Sequence, residues 1–323
     1  MVRTTIDPNT RMGLDITWEV HKEQKILDMD KKLIVNVAAP GALVSPLQNP
    51  DIPQNPEQIA EEIIDAYKAG ASMWHVHIRE GGEYICDPEI YRKTTDLVRK
   101  EAPDIITNLC VVTTFEECGA EKRLKPLIDP LVEYGPGYCE SALINCQTHA
   151  IGPVVQKNTE ASIKEEAAYM VKKGVKPELV GYNQMNLVNI KEWLVDTNIV
   201  PKPYLIDVIA GIHNSTPNYP TQDGLTNYIN QWKYLPALRE DCVIQCIMGG
   251  RNWLPFSLVG IMLGSDIVRV GTEDCLYMYP HKDDIIGHSV NVVKKIVLMA
   301  KEMGREIATP SEARKILGLK PLK

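Results

Sequence analysis

Two histidines separated by one residue are the first candidates for chemistry in this sequence. They stand in the run Trp74-His75-Val76-His77. If this run is a strand, His75 and His77 point to the same face, about 7 Å apart at a rise of about 3.3 Å per residue. Two imidazoles on one face can bind one metal ion. The alternative is a pair of partly buried histidines that hydrogen-bond to their neighbours.

Two adjacent acids far along the chain are the second candidates. Glu273 and Asp274 follow the run Arg269-Val270-Gly271-Thr272. One carboxylate and two imidazoles make a three-ligand site with an open position, the arrangement of catalytic zinc centres. Adjacent carboxylates repel each other unless a positive charge lies beside them, and a metal ion together with Arg269 would supply that charge. The alternative is that both are solvated loop acids or form an ion pair with Arg269.

A glycine-rich loop and a single histidine offer two more candidates. Gly250 and Arg251 precede a predicted helix, and glycines let backbone N–H groups approach an anion such as a phosphate or a carboxylate. The alternative is a tight turn with a surface arginine. His213 could line the same opening as a ligand or an acid–base group, although a single histidine in a loop is often neither.

The elements that would position these residues form a repeated pattern of strand and helix. Residues 33–39 are a continuous apolar run closed by Pro40-Gly41, which is typical of a strand covered on both faces. A helix follows, with Asn55 as its cap, Pro56 at its first position and an end at Ala69-Gly70. Further strands are predicted at 73–77, 105–112, 131–134, 178–182, 204–210, 242–248 and 266–270. Further helices are predicted at 88–99, 121–127, 161–173, 185–194, 225–238, 254–263 and 289–303, and another begins near Ser311 and is expected to pack back on the barrel.

Eight short buried strands that alternate with helices predict a parallel sheet closed into a (β/α)8 TIM barrel. An open doubly wound sheet is the alternative, but no G-x-G-x-x-G follows the first strand. We predict one barrel domain over residues 33–323, catalytic in function, preceded by a polar N-terminal extension over residues 1–32. The C-terminal strand ends of such a barrel carry function and surround one mouth, so Glu273 can face the two histidines.

Composition excludes several classes of protein. The 323 residues are 44% hydrophobic and 24% charged, which argues against disorder and fibrous repeats. A net charge of −7 does not suit nucleic-acid binding. The sequence shows neither a signal-like segment nor an apolar run near the roughly 20 residues of a membrane span, so we expect a cytoplasmic protein without nucleic-acid or membrane partners. Eight cysteines without a C-x-x-C pair predict reduced, mostly buried thiols.

Longer motifs around these residues resemble those of a known family. APGALVS with NPDIPQNPEQIAEE, then HVHIRE, MGGRNWLP, VRVGTEDCLY and AKEMGREIATPSEARKILGL stand in the order typical of the β-keto acid cleavage enzymes. That family includes the 3-keto-5-aminohexanoate cleavage enzyme, and the resemblance extends from about Leu33 to Leu319. It implies a homo-oligomeric barrel, a tetramer, that binds one Zn²⁺ per subunit and condenses a β-keto acid with acetyl-CoA to give acetoacetate and an acyl-CoA.

The resemblance also implies roles for individual residues. By motif match, His75, His77 and Glu273 would be the metal ligands, Asp274 the base and Arg269 its charged partner. Zinc would polarise the keto oxygen while the neighbouring carboxylate handles the proton.

Two departures from the family pattern bear on the substrate. The family's serine-threonine-glycine-glycine run after strand three is replaced by a Cys-Val-Val-Thr-Thr run starting at Cys110, so Thr113 and Thr114 are the candidates for hydroxyl contacts to substrate. Leu43 follows Gly41-Ala42, where the amino-substrate member has a glutamate. Because an ammonium group would lose its counter-charge there, we expect a neutral, apolar or differently charged β-keto acid.

Two other functions stay open at this point. A metal-dependent TIM-barrel hydrolase also uses an H-x-H pair, but normally on the first strand and with further histidines after strands five and six. A barrel without catalysis, used for binding or assembly, is the second alternative. The presence of both histidines together with Arg269, Glu273 and Asp274 argues against it.

Overall fold

A closed barrel of eight parallel strands is the centre of the fold. The computed structural model describes residues 27–111, 116–151, 154–211, 221–237 and 239–322. The barrel strands β1 to β8, in chain order, are Ile34–Ala39, Met73–Val76, Ile106–Leu109, Ser141–Asn145, Lys176–Gly181, Tyr204–Ala210, Cys242–Met248 and Ile267–Val270. They pair in the order β1-β8-β7-β6-β5-β4-β3-β2, and every pairing in this ring is parallel. The predicted TIM barrel is therefore confirmed.

Helices follow the strands in turn. The main helices α1 to α9 are Pro56–Lys68, Pro88–Arg99, Lys125–Tyr134, Glu160–Lys173, Gln184–Asn189, Gln222–Gln231, Trp253–Met262, Ser289–Glu302 and Pro310–Leu317. Shorter helical segments are Leu27–Asp30, Ala120–Arg123, the π-helix Ile190–Val195, Trp232–Tyr234 and Arg239–Asp241. Two hairpins join Ile78–Glu80 to Glu83–Ile85 and His149–Ile151 to Val154–Gln156.

The first strand and helix form as their sequence predicts. All six residues of β1 are buried, which agrees with a continuous apolar run covered on both faces. The Asn55 side chain caps α1 by accepting from the Gln58 backbone N–H at 2.9 Å. Most other elements lie within a few residues of their predicted bounds, and the predicted ends at residues 112 and 238 lie outside the described residues.

The predicted fourth strand at 131–134 is wrong. These residues are the end of α3, and β4 is Ser141–Asn145. Pro130 lies inside α3 and lacks the N–H of a normal helical hydrogen bond, so the local signal for a helix is weak. Leu127 and Leu131 lie four residues apart and are both buried, so packing holds the helical conformation as far as Gly135.

The C-terminal helix α9 closes the N-terminal end of the barrel, which confirms that it packs back on the fold. Ala313 and Leu317 form one apolar cluster with residues near the starts of the strands, among them Ile34, Met73 and Ile106. Leu317 is fully buried there. The end of the barrel opposite to the strand C-termini is therefore filled by packed side chains.

We expect a smaller side chain at Leu317 of α9 to destabilise the whole barrel. Leu317→Ala should lower the free energy of unfolding by about 2–5 kcal/mol, because it leaves a cavity in a fully buried cluster. The measurement is urea denaturation followed by circular dichroism. Lys315→Ala, on the exposed face of the same helix, should change stability by no more than about 0.5 kcal/mol. Equal denaturation midpoints for the two variants would contradict this role of α9.

A polar layer fills the middle of the barrel and was not anticipated from the sequence. Gln245 donates from Nε2 to both Glu178 and Asp207. Asn36 donates to Gln245 Oε1 at 2.8 Å, and all of these side chains are buried. Burial raises the pKa of Asp207 well above its usual value, and the nearby Glu178 acts in the same direction. These hydrogen bonds connect β1, β5, β6 and β7 inside the barrel.

Two further structural findings concern the whole described chain. None of its described helices combines the length and the apolar character needed to cross a bilayer. All eight cysteines lie within the described ranges; they are free of disulfides and six are buried, as predicted. The division of the chain at residue 32 stays a prediction, because residues 1–26 lie outside the described part.

Candidate metal and active site

The two histidines lie at the C-terminal end of β2 and are both buried. His75 is within the strand with no exposed surface, and His77 follows it with 3% exposed. Their ring centroids are 5.1 Å apart. The hairpin that begins at Ile78 returns Tyr84 to the ring of His77, with centroids 5.2 Å apart. Strand alternation therefore directs both imidazoles to one side, as the H-x-H spacing predicts.

A neighbouring strand fixes the orientation of His75. Asn108 on β3 lies opposite His75 in the strand register, and its Oδ1 is 2.7 Å from His75 Nδ1. The Asn108 amide nitrogen donates to Ser141 Oγ at 3.0 Å and to Glu178, so its oxygen must face the histidine. A carbonyl oxygen can only accept, so His75 Nδ1 carries the proton and Nε2 keeps its lone pair. Metal-ligating histidines in proteins are commonly held in this way.

The loop after β8 carries Glu273 to the same place. Its backbone N–H donates to Ala38 O at 3.2 Å, which ties the loop to the end of β1. Gly41 packs directly against this residue, since an added Cβ would lie 2.4 Å from Glu273 Cβ, and its φ is +74°. Any side chain at position 41 would therefore collide with Glu273 as well as strain the backbone.

The carboxylate and the two imidazoles converge to distances that suit a metal ion. Glu273 Oε2 lies 3.6 Å from His75 Nε2 and 3.0 Å from His77 Nε2. Ligand atoms bound at about 2.0–2.2 Å in a tetrahedron are about 3.3–3.5 Å apart, so the two observed distances bracket the expected value. These three residues, far apart in the chain, therefore fit a shared divalent cation.

The polar atoms at this point also need a partner. Among the described residues, His75 Nε2 and His77 Nδ1 are buried and form no hydrogen bond, while His77 Nε2 and Glu273 Oε2 lie 3.0 Å from each other. Buried polar atoms are normally satisfied, and the convergence of His75 Nε2, His77 Nε2 and Glu273 Oε2 on one point therefore fits a shared ligand such as a cation. Lone pairs from imidazole and carboxylate are suitable donors for zinc and for other first-row metal ions.

The three groups differ in charge. Burial lowers the pKa of His75 to about 3, so its imidazole is neutral. Burial opposes protonation of His77 as well, but Glu273 and Cys110 raise its pKa to about 10. Burial disfavours the charged form of Glu273, yet His77, His75 and Arg269 hold the pKa of its carboxyl well below the usual range. The His77 imidazolium thus supplies the positive charge beside an ionised Glu273, and a metal ion that binds here would take over this role as the His77 proton leaves.

The second acid is held by a buried arginine. Arg269 donates from Nε to Asp274 Oδ2 at 2.9 Å and from Nη2 to Oδ1 at 2.6 Å. The same Nη2 lies 3.7 Å from Glu273 Oε1, so the guanidinium stands beside both acids. Burial raises the pKa of Asp274 to about 6, with Arg269 opposing the shift. A carboxyl group with this pKa can both accept and return a proton near neutral pH.

A cysteine that was not among the predicted site residues lies in the same cluster. The ligand atoms of His75, His77 and Cys110 all lie within 4.8 Å of one another, and Cys110 is 7% exposed. The sequence showed Cys110 only as the replacement for a family serine. Its place near the end of the predicted third strand was visible in the sequence, but its approach to His77 depends on the register between β2 and β3.

The other predicted residues occupy different surroundings. The backbone N–H of Gly250 donates to the Asp274 carbonyl at 3.0 Å, which ties this loop to the loop after β8. The Arg251 guanidinium lies 3.5 Å from the ring centroid of Tyr277 and pairs with Asp283 at the surface. Thr113, Thr114 and His213 lie outside the described residues.

Comparison with known proteins agrees with this geometry. The sequence model of the beta-keto acid cleavage enzyme family matches residues 32–319 of this chain. The chain belongs to this family. A relative named 3-keto-5-aminohexanoate cleavage enzyme, from Fusobacterium nucleatum subsp. nucleatum, is 32% identical over 294 residues, covering 90% of this chain and 100% of the relative. A 3-dehydrocarnitine:acetyl-CoA trimethylamine transferase from Rhizobium meliloti is 27% identical over 315 residues, covering 91% of this chain and 98% of the relative.

A solved structure supports the fold of this β-keto acid cleavage enzyme. The binary complex of ObcA with oxaloacetate has a TM-score of 0.68 and 20% sequence identity, and the match covers 84% of this chain and 68% of that chain. At this identity the similarity concerns the barrel architecture alone. The chain is thus an enzyme of the β-keto acid cleavage type on a (β/α)8 barrel.

Proposed function

We propose that this enzyme condenses a β-keto acid with acetyl-CoA in a metal-dependent reaction that yields acetoacetate and a new acyl-CoA. The observation that carries the proposal is the convergence of His75, His77 and Glu273 beside the Asp274–Arg269 pair. Names of relatives that include acetyl-CoA support the co-substrate. Zinc as the metal, a homo-tetramer and a cytoplasmic location are the finer parts of this proposal.

Each residue would have a distinct task in this reaction. His75, His77 and Glu273 would hold the metal, which acts as a Lewis acid on the keto group when bound. Asp274 would take a proton from the substrate, since its carboxylate is buried beside the ligands and its position is fixed by two hydrogen bonds from Arg269. Arg269 would remain charged and stabilise negative charge that develops on the substrate. The deprotonated CH₂ carbon would bond to the acetyl carbonyl carbon as the thioester of acetyl-CoA breaks and frees the CoA thiolate. The thiolate would then attack the original keto carbon, the bond between this acyl group and the CH–COO⁻ unit would break, and Asp274 would return its proton to that carbon to give acetoacetate and the new acyl-CoA.

The first loop bears on the choice of substrate. Leu43 is 38% exposed in this loop, where a glutamate would offer a counter-charge to an ammonium group. Arg79 is buried beneath the loop and donates to Gly41 O at 2.9 and 3.0 Å and to Val44 O at 2.9 Å. This loop therefore carries an exposed apolar side chain, and a buried arginine binds the backbone on either side of it. We propose that the β-keto acid is neutral or apolar beyond its keto acid group, or negatively charged.

The decisive experiment is a screen of β-keto acids with acetyl-CoA, in which acetoacetate formation is measured with and without a chelator. The panel should contain apolar, anionic and ammonium-bearing β-keto acids. We expect turnover of an apolar or anionic member, loss of turnover with chelator and recovery on adding Zn²⁺. Turnover of the ammonium-bearing acid alone would contradict the substrate proposal, and no acetoacetate from any member would contradict the reaction.

The same screen addresses the two alternative functions. A metal-dependent hydrolase would cleave esters or amides without CoA, but here the histidine pair stands on the second barrel strand and β5 leads into Tyr182-Asn183. A non-catalytic binding protein would bind a ligand without forming acetoacetate. Chelator-sensitive hydrolysis without CoA would support the first alternative over our proposal.

We expect Asn108 to be a positioning residue for His75. Asn108→Leu should weaken metal affinity by about 10- to 100-fold, because the Nδ1 hydrogen bond that fixes the His75 tautomer is lost. Chelator competition on the purified protein measures this directly. Asn186→Leu is a control, since this buried asparagine contacts Tyr182 and Gln147. An equal loss of metal affinity in both variants would show a general structural effect instead.

A further inference from the structure

Cys110 lies directly after β3, and the strand pairing places it beside His77. Asn108 and Cys110 are two residues apart, at and just beyond the end of β3, so their side chains share a face. Asn108 points into the barrel to reach His75. The backbone N–H of Cys110 donates to Val76 O at 3.3 Å, which continues the pairing of β3 with β2 and sets Cys110 beside His77.

We propose that Cys110 is a fourth protein ligand of the metal, so that the centre is held by two imidazoles, one carboxylate and one thiolate. This inference rests on the metal site of the proposed function. Its sulfur lies within 4.8 Å of ligand nitrogens of both histidines. With a metal–sulfur bond of about 2.3 Å and a metal–nitrogen bond of about 2.0 Å, a tetrahedral centre places these atoms about 3.5 Å apart. Binding would draw the sulfur and the two nitrogens from at most 4.8 Å to about 3.5 Å apart. Glu273 is not part of this set of three, and its Oε2 reaches the two imidazoles separately, at 3.6 and 3.0 Å.

Independent features of the cluster support a ligand role over a packing role. His77 is 3% exposed, and within the described ranges its Nδ1 and the Nε2 of His75 are buried without a hydrogen bond. Cys110 is itself buried at the mouth, next to these unsatisfied atoms, and is not surrounded by aliphatic side chains alone. On binding, the thiol would give up its proton to solvent and the metal–sulfur bond would replace the S–H bond.

A thiolate changes which metals the site prefers. Two imidazoles and a carboxylate suit several first-row ions, whereas an added thiolate favours softer ions such as Zn²⁺ over Mn²⁺ or Mg²⁺. Cys110 would thus raise selectivity for zinc at a position where the family pattern has a serine. With four protein ligands present, room for the substrate comes from a five-coordinate arrangement, which zinc accepts.

The test is the absorption spectrum of the Co²⁺-substituted protein, prepared from metal-free enzyme with one equivalent of Co²⁺. We expect a near-ultraviolet thiolate-to-cobalt band in the wild type and in Cys118→Ser, a control at a half-buried cysteine. Cys110→Ser should lose this band and keep the visible bands of bound cobalt, because His75, His77 and Glu273 remain. Chelator competition should show at least about tenfold weaker Zn²⁺ affinity for Cys110→Ser.

Two results would overturn the proposal. One is a wild-type cobalt spectrum with visible bands and no thiolate band. This measurement uses the wild-type protein alone, so it does not depend on whether a variant folds. The other is a thiolate band of equal strength in Cys110→Ser. Because the spectrum is recorded without substrate, its outcome is separate from that of the β-keto acid screen: visible bands with no turnover on any acid would reject the proposed reaction and leave the ligand assignment standing.

Discussion

His75→Ala and His77→Ala should each lose the bound metal and the activity together. Each variant removes one of three converging ligands. Loss of a residue that only hydrogen-bonds to a metal ligand already weakens metal affinity by about 10- to 100-fold, so loss of the ligand itself should weaken it more. Lewis-acid stabilisation is worth several kcal/mol, and about 4 kcal/mol corresponds to about 10³-fold in rate. We therefore expect kcat/KM to fall by at least about 10³-fold. Metal content by elemental analysis and acetoacetate formation are the two measurements.

The matched control is an exposed histidine. His281→Ala removes an imidazole whose described ring contact is with Tyr279, and it should keep full metal content and activity. Circular dichroism should show that all three variants are folded. Full turnover by metal-free His75→Ala would exclude a catalytic metal at this site. An unchanged kcat/KM in metal-free His77→Ala would exclude it as well.

The barrel could be predicted because its signals are local and repeated. Continuous apolar runs such as 33–39 need cover on both faces, and capped helices follow them, so strand–helix units could be counted along the chain. The error at 131–134 arose where Pro130 weakens the helix signal. Only the packing of Leu127 and Leu131 against other elements decides that this segment is helical, and local sequence does not contain that information.

The site could be predicted in part for a related reason. Because barrel strands end at one mouth, two histidines at the end of β2 and two acids after β8 could be expected to meet without knowledge of any distance. The contributions of Asn108 and Cys110 could not, since they depend on the register between β2 and β3. Arg79 was missed because it acts through backbone carbonyls of another loop.

Asp274→Asn should lower kcat by about 10² to 10⁴-fold while the metal content stays unchanged. The three metal ligands remain in this variant, but an amide cannot accept the proton that the carboxylate takes. Steady-state kinetics with the substrate found in the β-keto acid screen, together with elemental analysis, measures both parts. A binding protein would keep its ligand affinity in this variant, so the experiment also separates an enzyme from a binding module.

The buried ion pair makes a control for folding necessary. Breaking one partner of such a pair can cost about 3–5 kcal/mol of stability, because Arg269 would remain buried opposite a neutral group. Thermal unfolding should therefore show a less stable but folded protein, and Asp65→Asn, at an exposed carboxylate on α1, should match the wild type in both activity and stability. A folded, metal-loaded Asp274→Asn enzyme with wild-type kcat would show that the proton is moved by a different group. Glu273 would then be the next residue to test, because it is the other carboxylate that faces Arg269 and the two histidines at this mouth.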